Sequence, residues 1–187
     1  TDVVAFGCMD EWVHAFADTE PAGVRLPFSD RAVIDAVLDK SSLYRIAEEL
    51  DVPYPKTVPL DGDTDAAVER ALSQLDLPLV VKPALKREFE EVIGTNVVEV
   101  DTEEQLRDIL ARAREADIEV MAQRKVDSVP GEDHSLASYV GPDGDVLSIV
   151  GNAQQRNPPE FGTSCLVERA EKPTIERRAL AVLRETG

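Results

Sequence analysis

The sequence has little cysteine, little lysine and no long apolar run. Its two cysteines, Cys8 and Cys165, lie far apart and form no metal-ligand spacing. They read as free thiols of a reducing compartment, with a single bridge between them as the remaining alternative. No apolar stretch approaches the ~18 residues of a membrane span, and no basic-then-apolar leader precedes Thr1. The expectation is a cytoplasmic protein with no membrane partner. Six lysines stand beside fourteen arginines, and together these 20 basic residues face 37 Asp and Glu, a formal net charge of -17. Such a surface repels phosphate backbones, which excludes nucleic acid as a partner class. The acid-rich, lysine-poor bias fits a halophilic cytoplasm in which dissolved ions screen self-repulsion; an acidic mesophile is the alternative. The two histidines, His14 and His134, have no partner at ligand spacing and read as structural or solvated.

What is present is enough chain, 187 residues, for one large or two small domains with a buried core. "VVAF" at 3–6 predicts a short buried strand, and "DEWVHAFAD" a helix with Trp12, Val13 and Phe16 at helical spacing behind Asp10 as N-cap. Ser29 is placed to cap a second helix, and "SSLYRIAEEL" follows as a third with Leu43, Ile46, Ala47 and Leu50 on one face; Lys40 sits between them. Pro53, Pro55 and Pro59 force "DVPYPKTVPL" into an extended linker that becomes an edge strand. Asp63 or Thr64 opens a further helix, and "LPLVVKP" reads as a strand. "EVIGTNVVEV" predicts a hairpin turning at Gly94-Thr95-Asn96, and Thr102 to Gln105 match a capping box ahead of a helix reaching about Ala116. "IEVMAQRKV" is a strand, and "SLASYV" and "VLSIVG" form an antiparallel pair around "GPDGD". The fold class is α/β, built of α+β modules.

Lys82 ends the apolar run Leu79-Val80-Val81 and is followed by the strongly charged stretch 86–91, read as a loop. A lysine there often only extends its head into water. Four segments argue otherwise when taken in order: "LDKSSLYRIAEELDVPYPKT", "LPLVVKP", "VMAQRKVDSVPG" and "YVGPDGDVLSIVGNAQQRNPPEFG". Their order and spacing resemble the ATP-grasp superfamily, most closely its carboxylate–amine ligase branch. The resemblance implies that residues 1–39 end a preceding N-terminal domain, 40–76 are lead-in helices and linker, 77–126 a small ATP-grasp subdomain, and 127–187 the start of the C-terminal subdomain. It also implies that ATP lies between two α+β subdomains, gripped by Lys40 and Lys82. Ammonium groups on rigid elements offset phosphate charge, so a ligand rather than a side chain is the expected partner of Lys82.

On the same resemblance, Val120 to Val126 match the strand that meets adenine. Val120, Met121 and Val126 would sandwich the ring, while Gln123 and backbone groups around Arg124, Lys125 and Val126 would meet its edge. Relatives often carry an acid where this chain has Gln123. Glu132 or Asp133 would accept hydrogen bonds from the ribose, with Glu132 preferred, and Arg156 would neutralise charge at the γ-phosphate or acyl phosphate as the catalytic residue. Many relatives have a glycine-rich phosphate loop after the strand lysine; here Lys86 and Arg87 either replace it or form a solvated turn. The superfamily holds Mg²⁺ with carboxylates in a late strand pair ending in an "E-x-N-P-R"-like motif that this sequence does not contain, so no metal ligand is assigned. The chain therefore reads as a central fragment, incomplete at both ends, of a ligase acting on a small-molecule carboxylate and an amine. Homodimerisation of the parent is compatible with this reading. A non-catalytic nucleotide-binding module and carbamoyl-phosphate-synthase-like or biotin-carboxylase-like enzymes are the alternatives.

Overall fold

The computed structural model describes residues 3–19, 21–27, 31–83, 86–127, 129, 131–141, 143–157, 159 and 162–186, with backbone alone at 86–88. Ser29, and Pro158, Glu160 and Phe161 of the last motif, lie outside these residues, as do the side chains of Lys86 and Arg87. The chain divides into two compact units, Thr1–Pro53 with Arg178–Gly187, and Tyr54–Arg177.

In the first unit, β1 (Val3–Val4) and β2 (Val24–Arg25) pair in parallel, with α1 (Asp10–Thr19) as the crossover between them. β1 is not the buried strand its composition suggests. Val3 and Val4 are half exposed although β1 pairs with β2. Asp10 is the first residue of α1 rather than its cap. Helices α2 (Arg31–Leu38) and α3 (Lys40–Glu49) follow and bury Ile34, Ile46 and Ala47. Asp39 caps α3 by accepting from the backbone N–H groups of Ser41 and Ser42, at 3.1 and 3.0 Å, and from the Ser42 hydroxyl at 2.8 Å. That cap contributes about 1 kcal/mol and fixes Lys40 as the first helical residue.

The second unit holds the main core. β3 (Thr57–Pro59), β4 (Leu79–Pro83), β5 (Val98–Val100) and β6 (Val120–Arg124) form a sheet in the order β3-β6-β4-β5, every neighbouring pair antiparallel. The proline-forced segment is its edge strand, as a residue type without an N–H requires. One face of the sheet, including Val58, Leu79, Val81 and Ala122, packs on α4 (Thr64–Leu72), α5 (Lys86–Ile93) and α6 (Glu103–Glu115). Asp63 caps α4, and Thr102 and Gln105 form the reciprocal capping box that starts α6. β3 and α4, read from sequence as lead-in, share this core through Val58, Ala67, Val68 and Ala71.

Two expectations between β4 and β5 are overturned. The charged stretch is not a loop: α5 runs through it, anchored by Phe89, which is 0% exposed. Gly94 does not turn a hairpin either. At φ +90° it ends α5, and its N–H donates to Glu90 O at 2.9 Å. β5 pairs instead with β4, Leu79 opposite Val100 and Val81 opposite Val98.

Beyond β6, β7 (His134–Val140), β8 (Val146–Asn157) and β9 (Thr163–Ala170) make a second antiparallel sheet, followed by α7 (Pro173–Glu185). β9 has no counterpart in the sequence reading. Among the described residues no helix is long and apolar enough to cross a membrane.

Candidate nucleotide-binding site

The pleat of the four-stranded sheet sorts its residues. Val58, Ala122 and Val81 point into the core, so Thr57, Gln123 and Lys82 turn to the opposite face. There they form a chain of hydrogen bonds across three strands. Lys82 Nζ donates to Gln123 Oε1 at 2.8 Å, Gln123 Nε2 donates to Thr57 Oγ1 at 2.6 Å, and the Thr57 hydroxyl donates to Pro55 O at 2.8 Å. The expectation that Lys82 has only a ligand for a partner is therefore corrected: a side chain, Gln123, holds it. The amide oxygen accepts from the ammonium and orients it. On the same face Lys125 pairs with Glu99, an ionic contact that offsets its charge.

The adenine-strand expectation also changes in detail. Val120 belongs to the helix-packed core and is buried, so it does not flank a ligand on the other face. The Arg124 side chain is exposed, and its backbone N–H already donates to Lys56 O at 2.9 Å. Val126, just past the strand end, is 62% exposed.

An open cleft of about 1600 Å³ runs from Lys125 and Val126 along Gly131, Glu132 and Asp133 to the end of β8, where Gln154, Gln155, Arg156 and Asn157 line it. Its loop side is tied to the sheet. Asn152 Nδ2 donates to Gly131 O at 2.8 Å, and the Ala153 N–H donates to Asp133 O at 2.8 Å. Gly131 has φ +79°, a turn geometry that a side chain disfavours. On the sheet side, β8 carries two register shifts against β9, at Ala153/Gln155 and Gln155/Arg156. Bulges of this kind re-aim a strand's side chains, and here they precede an arginine.

Arg156 meets Asp133 as a fork. Nε donates to Oδ2 at 2.7 Å and Nη2 to Oδ1 at 2.9 Å, while Nη1 donates to Gly162 O at 2.6 Å. The Arg156 hydrogen bonds hold the Asp133 carboxyl below its ordinary pKa, against a smaller opposing effect of burial. The same bonds, donated to Asp133, raise the pKa of the Arg156 guanidinium in turn. Glu132 accepts from Lys172 Nζ at 3.2 and 2.9 Å, and that bond lowers its pKa. His134 Nδ1 lies 3.8 Å from the same carboxylate, with its side chain only 3% exposed.

The structure thus brings Lys125, Val126, Glu132 and Arg156 to one cleft, and joins Lys82 to Gln123 on the sheet face. Lys40 belongs to the first unit, at the start of α3. Sequence reasoning missed Thr57, Glu99 and Lys172 as partners of site residues, and weighed Asp133 as a ribose acceptor but not as the partner of Arg156. Among the described residues no group of three or more His, Cys, Asp or Glu could hold a metal ion.

No protein-family model matches the chain. A D-aspartate ligase of Enterococcus faecium (strain Aus0004) is 30% identical over 143 residues, 71% of this chain and 33% of that protein. Among solved structures, a D-Ala:D-Ser ligase from Enterococcus faecalis superposes with a TM-score of 0.65 at 17% identity, over 97% of this chain and 52% of that one. The D-alanine–D-alanine ligase from Bacillus anthracis complexed with ATP gives a TM-score of 0.61 at 20% identity, over 92% and 54%. The chain spans a third of the curated relative and about half of each of these structures. The mixed helix-and-sheet architecture and these structural likenesses give the chain the ATP-grasp fold.

Proposed function

We propose that this chain is the ATP-binding part of an ATP-dependent ligase that activates a carboxylate as an acyl phosphate for attack by an amine. The observation that carries the reading is Lys82, an ammonium on a buried central strand, oriented by the Gln123 side chain. A rigid cation in a partly dry site attracts phosphate more strongly than one in water. In this reading Lys82 binds the ATP phosphates, and Val126 with backbone around Arg124 and Lys125 borders the adenine. Glu132 serves the ribose hydroxyls. It is preferred over Asp133 because it is the more exposed, 56% against 35%, and is held by the single ammonium of Lys172 rather than by a two-pronged guanidinium. Arg156 exchanges Asp133 for the transferring phosphoryl group, stabilising charge as it develops. The relatives' names, D-aspartate ligase and D-alanine ligases, support an amino acid among the substrates.

Calorimetric titration of ATP and of adenosine into three proteins tests the reading. The unaltered chain binds both. Lys82→Ala weakens ATP about tenfold or more, the worth of a charge-assisted contact, and leaves adenosine nearly unchanged. Val126→Asp weakens both ligands, since a carboxylate beside the purine is desolvated without a partner. Equal losses for the two ligands in Lys82→Ala would make Lys82 a structural residue and end the proposal.

A further inference from the structure

We infer that Thr57 is a positioning residue of this nucleotide grip, acting on Lys82 through Gln123. The inference rests on the reading of Lys82 as a phosphate ligand and deepens it. Thr57 lies directly opposite Gln123 on β3, and Gln123 lies opposite Val80 on β4, two residues before Lys82. All four therefore share the sheet face away from the helices.

The direction of each bond follows from the one before it. The Thr57 hydroxyl gives its proton to Pro55 O, so toward Gln123 it acts as an acceptor. It therefore takes the amide N–H of Gln123, which leaves the amide oxygen turned to Lys82. The flipped amide would set its NH₂ against an ammonium that can only donate. Gln123 is 6% exposed, so water is a poor substitute partner for either end of the amide. Thr57 is β-branched and stiff about χ1, which holds the hydroxyl in place at the sheet edge. The polarity of one hydroxyl thereby sets the position of a cation two strands away.

The test replaces Thr57 by Val, which keeps the shape and removes the hydroxyl, and by Ser, which keeps the hydroxyl. ATP and adenosine affinities and the melting temperature are measured for each. Thr57→Val should weaken ATP about tenfold and adenosine less than twofold, while Thr57→Ser stays within about twofold of the unaltered chain for both, the size of one buried hydrogen bond. Adding Thr57→Val to Lys82→Ala should cost no further ATP affinity, because the effect runs through the lysine. A merely structural threonine would lower the melting temperature and weaken both ligands alike. Unchanged ATP affinity, equal losses for the two ligands, or a full Thr57→Val effect without Lys82 overturns the inference. If Lys82→Ala itself shows no preference for ATP, the underlying reading fails with it; if Lys82→Ala does and Thr57→Val does not, only the role of Thr57 falls.

Discussion

Asp133 and Arg156, 23 residues apart in sequence, close on each other with two parallel hydrogen bonds across the cleft that the sequence motifs predict to bind nucleotide. The pair holds the loop before β7 against the end of β8, so it has a structural effect that pH can read out. Asp133 has its pKa lowered in the folded state, so its stabilisation is present above the ordinary carboxylate value near 3.8 and is lost as pH falls through the lower folded value. Both side chains are about a third exposed, and screening reduces the worth of the pair to about 1 kcal/mol. Asp133→Asn should therefore lower stability by about that amount at pH 7 and by progressively less below about pH 4. Urea denaturation at pH 7 and pH 3 checks this; a stability gap of the same size at both would show that the carboxylate charge is irrelevant.

The parts of this arrangement legible in sequence are those fixed by neighbours in the chain. Thr102 and Gln105 lie within one turn, and their capping box is as predicted. The edge position of β3 followed from its prolines. Helix α5 was misread because its polar residues resemble a loop and because glycine ends helices as well as hairpins; Phe89 and Ile93, four apart, were the available signal. β9 was missed because its residues, Val167, Glu168 and Arg169 among them, are mostly exposed and mix charge with apolar side chains. In the site, Lys82, Glu132 and Arg156 can be named from their chemistry, but their partners Gln123, Lys172 and Asp133 cannot. Gln123 and Thr57 are 66 positions apart, and Lys82 and Gln123 are 41 apart. Those meetings depend on strand register, which local sequence does not encode.

The charge excess gives a second expectation. With a formal charge of -17, 37 acids against 20 basic residues, stability should depend on screening of the acidic excess. Ion pairs such as Arg107 with Asp65 and Glu103 offset part of the charge, but 20 basic residues cannot match 37 acids. Raising KCl shortens the screening distance from roughly 10 Å at 0.1 M to about 3 Å at 1 M, which weakens the long-range repulsion. The melting temperature should rise over that range. A flat or falling profile would show that self-repulsion is already offset within the fold.

The last expectation follows from the helix that sequence patterning obscured. α5 is eight residues long, too short to persist alone in water, and its charged residues give it no reason to form except packing. Phe89 supplies that packing: it is fully buried against the core, with Ile93 one turn on partly buried beside it. The helix end is held by the Arg112 guanidinium, which donates from α6 to Val92 O at 3.1 Å. Phe89→Ala should therefore cost about 3–5 kcal/mol, the price of a large buried aromatic and the cavity it leaves. Phe89→Leu should cost less, because it refills most of that volume. Chemical denaturation gives both values, and hydrogen exchange locates the loss, since the amides of 90–94 should exchange faster in Phe89→Ala than those of α6. A cost under 1 kcal/mol with unchanged protection at 90–94 would return this stretch to the solvated loop that its charges suggest.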